Sequence, residues 1–297
     1  MTATARLGLG TVQFGVDYGV GNRHALVAEA TAADIITSAA EQAIGVLDTA
    51  AFYGNSEQVL GRIVKNSDPF RIVTKTAVVK GDEIDDGDLE NFQQTFFRSL
   101  DTLKREQVYG LLVHHAADIL KPGGDRLVKF LESQKYEGKT LKAGISVYTG
   151  LEIDAVLEKF TPDIVQLPIN LLDQRLIESD HLKKLKDRGV EIHARSIFLQ
   201  GVLLQEPTTL PDYFTPMRTD LENIRTAVIG QKFTPLEACL AFAMQCAELD
   251  TILVGVMSVE DLQEIIQATE GIIGRHFEAD GLASNNAALV DPSHWRH

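Results

Sequence analysis

The stretch LDTAAFYGNSEQVLG, residues 47–61, joins the end of an apolar run to the start of a helix. Asp48 closes the apolar run, and Tyr53 follows five residues later. Asn55, Ser56 and Glu57 then open a helical pattern, since short polar side chains cap helices and acidic groups favour the first turn. The stretch therefore predicts a buried strand, a loop that presents a tyrosine, and a helix that leads away from it.

The next two apolar runs also end in a polar side chain. RIVTK, residues 71–75, ends in Lys75, and YGLLVH, residues 109–114, ends in His114. Taken singly, Asp48 reads as a turn cap, Tyr53 as a loop aromatic and His114 as a core histidine. Lysine, however, is rarely tolerated inside an apolar strand without a partner. The order of these residues on successive strands therefore argues for one shared site.

Apolar runs and amphipathic helical segments alternate along the chain. Eight apolar runs occur, at 6–10, 45–49, 71–76, 108–114, 142–147, 163–168, 190–196 and 251–256. Helical patterns occur at 32–42, 56–65, 89–103, 125–134, 151–159, 177–188, 234–248 and 259–267. Strands that are apolar throughout are typical of a parallel sheet buried on both faces. The alternation predicts an α/β protein with a single (β/α)8 TIM barrel as one domain over residues 1–297, and a doubly wound sheet is the alternative topology.

Two segments depart from the alternation. Residues 200–232 contain Pro207, Pro211 and Pro216, then a helical piece near 220–229, and are longer than a strand–helix loop should be. A lid or cofactor clasp and an insertion without function are both open interpretations of this segment. Residues 268–297 predict a short helix and a polar C-terminal tail, in which Trp295 is expected to pack near the barrel mouth.

Composition restricts the class of partner. The chain has 297 residues, is 44% hydrophobic and carries a net charge of −14, which disfavours nucleic acid and anionic membranes. No apolar run approaches the ~20 residues that span a bilayer, and the N-terminus lacks the layout of a signal peptide. Cys239 and Cys246 lie on one predicted helix, ~10 Å apart and too far for a disulfide. These features favour a small-molecule partner and a reducing, cytoplasmic setting.

The motif at 47–61, together with Lys75 and His114, closely resembles the aldo-keto reductases, which are nicotinamide-dependent carbonyl reductases built on a (β/α)8 barrel. The resemblance covers essentially residues 6–270. It implies an NAD(P)-dependent oxidoreductase that acts on CH–OH and carbonyl groups, without a metal. The expected reaction interconverts an aldehyde, ketone or sugar and the corresponding alcohol by hydride transfer.

The resemblance also implies the catalytic roles. Tyr53 is the general acid and base, and because the unperturbed pKa of a tyrosine is ~10, its pKa must fall for proton exchange near neutrality. Lys75 beside the phenol is expected to lower that pKa, and Asp48 to hold Lys75 in place. His114 would orient the carbonyl. His115 is the rival for this role, and otherwise faces the substrate.

The cofactor residues are implied in the same way. The expected set that contacts NAD(P)H is Ser146, Gln166, Arg195, Ser196, Gly201, Gly255, Ser258, Asp261 and Glu264. Ser146 and Gln166 match the residues that hold the nicotinamide carboxamide, although Val147 stands where many members have asparagine. Arg195 replaces an aromatic that stacks on the nicotinamide, and a planar guanidinium can stack too.

Asp261 stands where many members have an arginine on the adenosine 2′-phosphate. A carboxylate repels a phosphate and accepts a hydrogen bond from a ribose hydroxyl, so NADH is expected to be used at least comparably to NADPH. The alternative is that Asp261 only complements the helix dipole, with the phosphate held by Ser258, backbone amides or Arg275.

The expected substrate-binding residues are Phe14, Tyr18, Phe52, His115 and Asn170, although Asn170 can equally satisfy loop backbone. The glycines of residues 19–23 suggest a flexible loop over the mouth. Two other functions remain open. Lys75 at a strand end suits a Schiff-base lyase or aldolase-type enzyme. The second alternative function is a nicotinamide-binding regulatory subunit, for which the sequence shows no evident partner surface.

Overall fold

The computed structural model describes residues 3–20, 26–284 and 286–295. Eight parallel strands form one closed sheet, in which each strand pairs with the next and β8 pairs with β1. The strands are β1 Leu7–Gly10, β2 Val46–Asp48, β3 Arg71–Lys75, β4 Val108–Val113, β5 Thr140–Ser146, β6 Ile164–Pro168, β7 Glu191–Arg195 and β8 Thr251–Val254. The predicted (β/α)8 barrel is therefore confirmed, and the doubly wound alternative is wrong.

Helices pack around the sheet. In the described part of the chain they are α1 Glu29–Glu41, α2 Ser56–Ile63, α3 Asp86–Leu103, α4 Ala116–Leu120, α5 Gly124–Tyr136, α6 Gly150–Leu157, α7 Arg175–Glu178, α8 His181–Lys186, α9 Arg218–Gly230, α10 Pro235–Gln245, α11 Val259–Gly271 and α12 Ala287–Val290. The short helix α4 follows directly after β4 and was not expected from the sequence. Over the described residues, no helix is long and apolar enough to cross a bilayer.

Several of these helices begin with reciprocal caps. At α10, the Thr234 side chain accepts a hydrogen bond from the Glu237 amide, and the Glu237 side chain accepts one from the Thr234 amide. Pro235 occupies the first turn, where its missing N–H is not needed. The same reciprocal pair forms between Thr149 and Glu152 at α6. Local sequence therefore sets where these helices start.

The single helix predicted over 177–188 is wrong. The chain forms two short helices, α7 and α8, separated at Ser179 and Asp180. Asp180 has a φ of 57°, which lies in the left-handed region and cannot continue a helix. The Ser179 hydroxyl donates to the Arg175 carbonyl at 2.6 Å and so satisfies an acceptor at the end of α7. His181 then packs beside the Gly150 backbone, where an added Cβ would lie 2.4 Å from its ring.

The barrel interior holds an apolar layer between its two ends. Its members are the buried side chains of Val46, Val73, Leu112, Ile164 and Leu253. Glycine makes room for them, since a Cβ at position 8 would lie 2.9 Å from Leu253. The larger core fills the space between the sheet and the helices.

A polar network, which we call the base network, closes the amino-terminal end of the barrel. Its members are Arg71, Tyr109, Lys142, Glu191 and His193. Glu191 accepts from the Tyr109 hydroxyl at 2.7 Å, pairs with the Lys142 ammonium, and contacts His193 Nε2 at 2.7 Å. Burial alone would raise the pKa of Glu191, but these hydrogen bonds hold that pKa below its usual range. Glu191 is therefore ionised and is held by Tyr109, Lys142 and His193.

The segment after β7 and the C-terminal tail pack against each other. Short 3₁₀ turns at Leu199–Leu204, Pro207–Thr209 and Asp212–Met217 precede α9. The Trp295 ring lies edge-on to Phe214, with centroids 4.9 Å apart, and its Nε1 donates to the Leu289 carbonyl at 3.0 Å. The tail thereby covers one side of the long segment.

Gly61 in α2 tests how closely the outer helices pack. A Cβ at this position would lie 1.8 Å from the Thr102 carbonyl oxygen, which is backbone and cannot rotate away. We expect Gly61→Ala to lower the free energy of unfolding by about 2–3 kcal/mol, since overpacking forces α2 and α3 apart. Urea unfolding followed by circular dichroism measures the change.

Gly230→Ala is the matched control. Gly230 ends α9 and has nothing within 4 Å of the added methyl, so we expect it to be neutral or stabilising by up to ~1 kcal/mol. Equal unfolding midpoints for the two variants would contradict the close approach of α2 and α3.

Candidate functional site

A cavity of about 380 Å³ opens at the carboxyl ends of the strands, where barrels build their sites. Fourteen of the predicted site residues line it: Tyr18, Asp48, Tyr53, Lys75, His114, His115, Ser146, Gln166, Arg195, Ser196, Gly201, Gly255, Asp261 and Glu264. They come from both ends of the chain. Strand order therefore gathers residues that are far apart in sequence.

Lys75 and Asp48 form a buried ion pair at the floor of this cavity. Lys75 Nζ lies 2.8 Å from both carboxylate oxygens of Asp48 and 3.0 Å from the Thr49 carbonyl. Burial is the largest single effect and would lower the pKa of Lys75, but the interactions with Asp48 and Tyr53 together outweigh it, so the pKa is raised. The lysine is therefore an ammonium at neutral pH.

Gln166 completes the ion pair. Its Nε2 donates to Asp48 Oδ1 at 2.7 Å. The sequence led us to expect its amide on the nicotinamide carboxamide, whereas the structure directs the amide nitrogen to Asp48. Gln166 lies in the middle of β6, where it pairs with Ser146 at the end of β5, and its buried side chain reaches Asp48 inside the barrel. Its side chain still lines the cavity.

The loop that carries Tyr53 is clamped between two glycines. A Cβ on Gly15 would lie 2.0 Å from the Tyr53 carbonyl, and one on Gly54 would lie 2.1 Å from the Gly15 carbonyl. Gly54 also has a φ of 52°, which favours glycine. Below the loop, the Ser56 hydroxyl contacts the hydroxyl of Thr11 at 2.8 Å. This clamp fixes the position from which Tyr53 enters the cavity.

Tyr53 meets Lys75 at the cavity floor. Lys75 Nζ is 5.0 Å from the centroid of the Tyr53 ring. Burial raises the pKa of Tyr53, and the Lys75 charge opposes that rise without reversing it. The expectation of a net lowered pKa is therefore wrong, because desolvation outweighs the ammonium. The Tyr53 hydroxyl is protonated at neutral pH.

His114 and His115 both line the cavity, with different surroundings. The His114 ring lies edge-on to Tyr53 with centroids 6.0 Å apart, while the exposed His115 ring is 5.2 Å from His114. Burial and the charge of Lys75 lower the pKa of His114 to about 3. His114 is therefore a neutral imidazole next to Tyr53, as a group that orients a carbonyl needs to be.

Arg195 forms the wall opposite these groups. Its guanidinium carbon lies 4.1 Å from the centroid of the Tyr148 ring, and its Nη2 donates to the Val147 carbonyl at 3.2 Å. Tyr148 lines the cavity and was not identified from the sequence. The sequence feature that could have identified Tyr148 is its position two residues after Ser146, at the end of the same strand.

The other end of the cavity is built by β8 and the start of α11. The Ser258 side chain accepts from the Asp261 amide at 3.1 Å, and Asp261 Oδ2 accepts from the Met257 amide at 3.0 Å. Asp261 therefore caps α11 while it also lines the cavity. Arg275 is engaged elsewhere, since it pairs with Glu237 at 3.1 Å.

Four predicted residues lie outside the cavity. Phe14 is 2% exposed and belongs to the core, while Phe52 is exposed without lining the cavity. Asn170 binds loop backbone: its Oδ1 accepts from two amides at 3.0 Å, and its Nδ2 donates to Ser196. Ser258 serves as the α11 cap. Sequence placed these residues near strand ends but did not specify the direction of their side chains.

Further cavity residues were not expected from the sequence. They come from the loops after β1, β7 and β8 and from α10, and include Val12, Leu204, Leu236 and Met257. Part of the loop predicted over the mouth, residues 21–23, lies outside the described residues. Within the described ranges, no three His, Cys, Asp or Glu side chains are grouped so that they could hold a metal ion.

The cavity fits an extended dinucleotide. It continues from the ion pair to α11, and Gly201 and Gly255 line it without side chains. A Cβ on Gly255 would lie 3.1 Å from Gln13 Oε1 and so would narrow the passage. Backbone can therefore approach a bound phosphate closely at these glycines.

Comparisons with known proteins agree with this geometry. The family model described as the aldo/keto reductase family matches residues 6–271. A search of curated proteins finds no match.

Solved structures with the same fold include two from bacteria. The holo form of an aldo-keto reductase from Bacillus halodurans has a TM-score of 0.76 at 21% identity, covering 98% of this chain and 95% of that chain. A glycerol dehydrogenase from Gluconobacter oxydans has a TM-score of 0.68 at 20% identity, covering 91% and 92%. At such identities the likeness establishes the fold.

The lowered pKa of His114 predicts a pH effect on stability. Between an unfolded pKa of 6.5 and a folded pKa of about 3, the unfolded chain binds the proton and the folded chain does not. We expect His114 to make stability fall as the pH is lowered through this window, by up to ~1.4 kcal/mol per pH unit. Urea unfolding of wild type and His114→Gln between pH 4 and 7 measures the contribution.

NMR of labelled imidazoles gives the direct check. The resonance that disappears in His114→Gln is expected to show no titration down to pH 5. A midpoint between pH 5 and 7 for that resonance would mean that His114 is solvated and charged more easily than its surroundings indicate.

Proposed function

Because the chain belongs to the aldo/keto reductase family, we propose that it interconverts a carbonyl compound and the corresponding alcohol, with Tyr53 as general acid and base. The substrate is an aldehyde, ketone or sugar. The observation that carries the proposal is the convergence of Tyr53, Lys75, Asp48 and His114 at the floor of one cavity. Their hydrogen bonds and charges suit proton transfer to a carbonyl oxygen.

The residues that would hold the nicotinamide cofactor line the rest of the cavity. When bound there, NAD(P)H would supply the hydride for carbonyl reduction, and NAD(P)+ would accept it in the reverse direction. We assign Ser146 and Arg195 to the nicotinamide, Ser196 and Gly201 to the pyrophosphate, and Gly255, Asp261 and Glu264 to the adenosine. Gln166 reaches the same region with its amide oxygen, since its nitrogen is engaged by Asp48.

Tyr53 handles the proton. A phenol with a raised pKa is protonated at neutral pH and donates its proton only when negative charge develops on the substrate oxygen. Lys75 stabilises the phenolate that remains after transfer. Asp48 keeps Lys75 charged and in place. Neutral His114 beside Tyr53 offers a hydrogen bond to the carbonyl without competing for the proton.

The Schiff-base alternative fits the geometry less well. A nucleophilic lysine needs a free amine, which a lowered pKa provides. The pKa of Lys75 is raised instead, and its ammonium donates to Asp48 and to the Thr49 carbonyl. No observation favours a regulatory subunit.

We propose that residues 1–297 act as one catalytic domain in the cytoplasm. The segment 200–232 serves this domain as a wall of the cavity, since Gln200, Gly201 and Leu204 line it. Burial raises the pKa of Cys239 to about 12 and that of Cys246 to about 11, so neither is a reactive thiolate at neutral pH.

Substitution of the proton-transfer pair tests the mechanism. We expect Tyr53→Phe and Lys75→Met each to lower kcat for aldehyde reduction by about 10²–10⁴-fold, the usual contribution of general acid catalysis. The double variant is expected to be little worse than either single one, because the two residues act as a unit. Steady-state rates of NADH and NADPH oxidation with neutral aldehydes measure the losses.

Cofactor binding is the control for this experiment. Fluorescence titration of NADPH and NADH with Tyr53→Phe is expected to give nearly wild-type affinity, because the phenol is replaced by a ring of similar volume. Near wild-type turnover in Tyr53→Phe would refute its role, and multiplicative losses would show that Lys75 acts independently.

We further propose that NADH is used at least comparably to NADPH. Asp261 brings a carboxylate to the adenosine end of the cavity, and Oδ2 of that carboxylate accepts a hydrogen bond from the Met257 amide. Arg275, the basic alternative, donates to Glu237 and to the Lys232 carbonyl. In the part of the chain that the structure describes, no basic side chain lines this end of the cavity.

Asp261 variants test this preference. We expect Asp261→Asn, which keeps an oxygen for the Met257 amide, to raise kcat/KM for NADPH relative to NADH by about 10-fold. Asp261→Arg is expected to raise the ratio further. The measurement is kcat/KM with both cofactors. A strong wild-type preference for NADPH that neither substitution changes would show that Asp261 does not distinguish the ribose hydroxyl of NADH from the 2′-phosphate of NADPH.

A further inference from the structure

Arg195 is half-buried in the cavity wall and, unlike the buried Lys75, has no acidic partner among the described residues. Lys75 is neutralised by Asp48 at 2.8 Å. Of the described residues, none places a carboxylate within 4.0 Å of the Arg195 guanidinium. The catalytic end of the cavity therefore carries one uncompensated positive charge, in a protein whose net charge is −14.

The surroundings of Arg195 leave hydrogen-bond donors free. A guanidinium has five N–H groups. The acceptors recorded for Arg195 are the Val147 carbonyl at 3.2 Å and the Ser196 hydroxyl at 3.4 Å. Tyr148 covers one flat face of the group. The remaining donors lie in a half-buried cavity wall, where a cation without a partner favours an incoming anion.

Arg195 is also close to the reacting groups. It lines the same cavity as Tyr18, Tyr53 and His114. Burial has the largest effect on the pKa of each of these three groups, and the Arg195 charge acts on each of them as well. An anion bound by Arg195 therefore lies beside the carbonyl that Tyr53 protonates.

We propose that the natural substrate carries an oxyanion on the same carbon skeleton as its carbonyl, and that Arg195 binds this oxyanion through its N–H edge. This proposal rests on the carbonyl reductase function proposed above and adds the substrate class. Carboxylate and phosphate ester share the required chemistry, since both match the planar fork of arginine. Stacking on a nicotinamide uses the free face of the guanidinium, so the two roles are compatible.

Matched aldehydes test the proposal. The carboxylate arm compares 4-carboxybenzaldehyde with its methyl ester, and the phosphate arm compares 4-formylphenyl phosphate with 4-methoxybenzaldehyde. In wild type, kcat/KM for the better anion is expected to exceed that of its neutral partner by about 10- to 100-fold, the range that hydrogen bonds to charged groups contribute. Arg195→Met is expected to abolish this preference, and Arg195→Lys to retain part of it.

Arg188→Met is the charge-matched control. Arg188 is exposed after α8 and donates to the Lys184 carbonyl, so its loss changes the net charge equally and should leave the preference unchanged. A wild-type preference ratio near one in both arms would overturn the proposal. An unchanged ratio in Arg195→Met, with weakened NADH and NADPH binding, would overturn it too and assign Arg195 to the cofactor.

A binding measurement separates this inference from the hydride-transfer function. Calorimetry compares 4-(hydroxymethyl)benzoate with its methyl ester on wild type and Arg195→Met, each with the oxidised cofactor added. Tighter binding of the acid that is lost in Arg195→Met supports the anion site even if no aldehyde is turned over. Turnover of neutral aldehydes without any preference for acid over ester refutes the anion site and leaves the reductase function standing.

Discussion

The buried pair of Lys75 and Asp48 is the interaction on which the rest of the site depends. Placing an ammonium inside a barrel is costly unless a carboxylate and further acceptors surround it. Asp48 supplies both oxygens, the Thr49 carbonyl supplies a third acceptor, and Gln166 fixes the carboxylate from the other side. Removal of one partner from such a pair leaves an uncompensated charge that costs about 3–5 kcal/mol. The pair therefore fixes the positive charge of Lys75 beside the Tyr53 phenol and the His114 imidazole.

Strand register and loop packing determine where that charge lies in the cavity. Asp48 pairs with Val73 across β2 and β3, so Lys75 extends two residues further and folds back over the carboxylate. The loop after β2 then turns at Gly54, against Gly15, and brings Tyr53 over the ammonium. Arg195 shows the contrast, because the part of the chain that the structure describes provides it with an aromatic face and no carboxylate.

The sequence predicted the barrel and the convergence of Asp48, Tyr53, Lys75 and His114 at one end of it, because both depend on order along the chain. Apolar runs mark strands, and parallel strands bring their carboxyl ends together. It did not predict the break at Asp180, which depends on one left-handed residue, or the inward turn of Phe14, and it left the role of Asn170 open between substrate pocket and loop backbone. The sequence also did not predict the raised pKa of Tyr53, because desolvation depends on the packing of distant segments. The direction and burial of a side chain depend on tertiary packing, which the periodicity of apolar residues in the sequence does not specify.

The base network has a consequence for how protons travel through the molecule. Its charges are separated from the Lys75–Asp48 ion pair at the cavity floor by the apolar layer of Val46, Val73, Leu112, Ile164 and Leu253. Among the described residues, no hydrogen bond joins His193 of the base network to Asp48. The apolar layer thus separates the two groups of charged residues along the barrel axis. For the reaction proposed above, this separation means that the proton donated by Tyr53 is replaced through the cavity mouth and not through the base network.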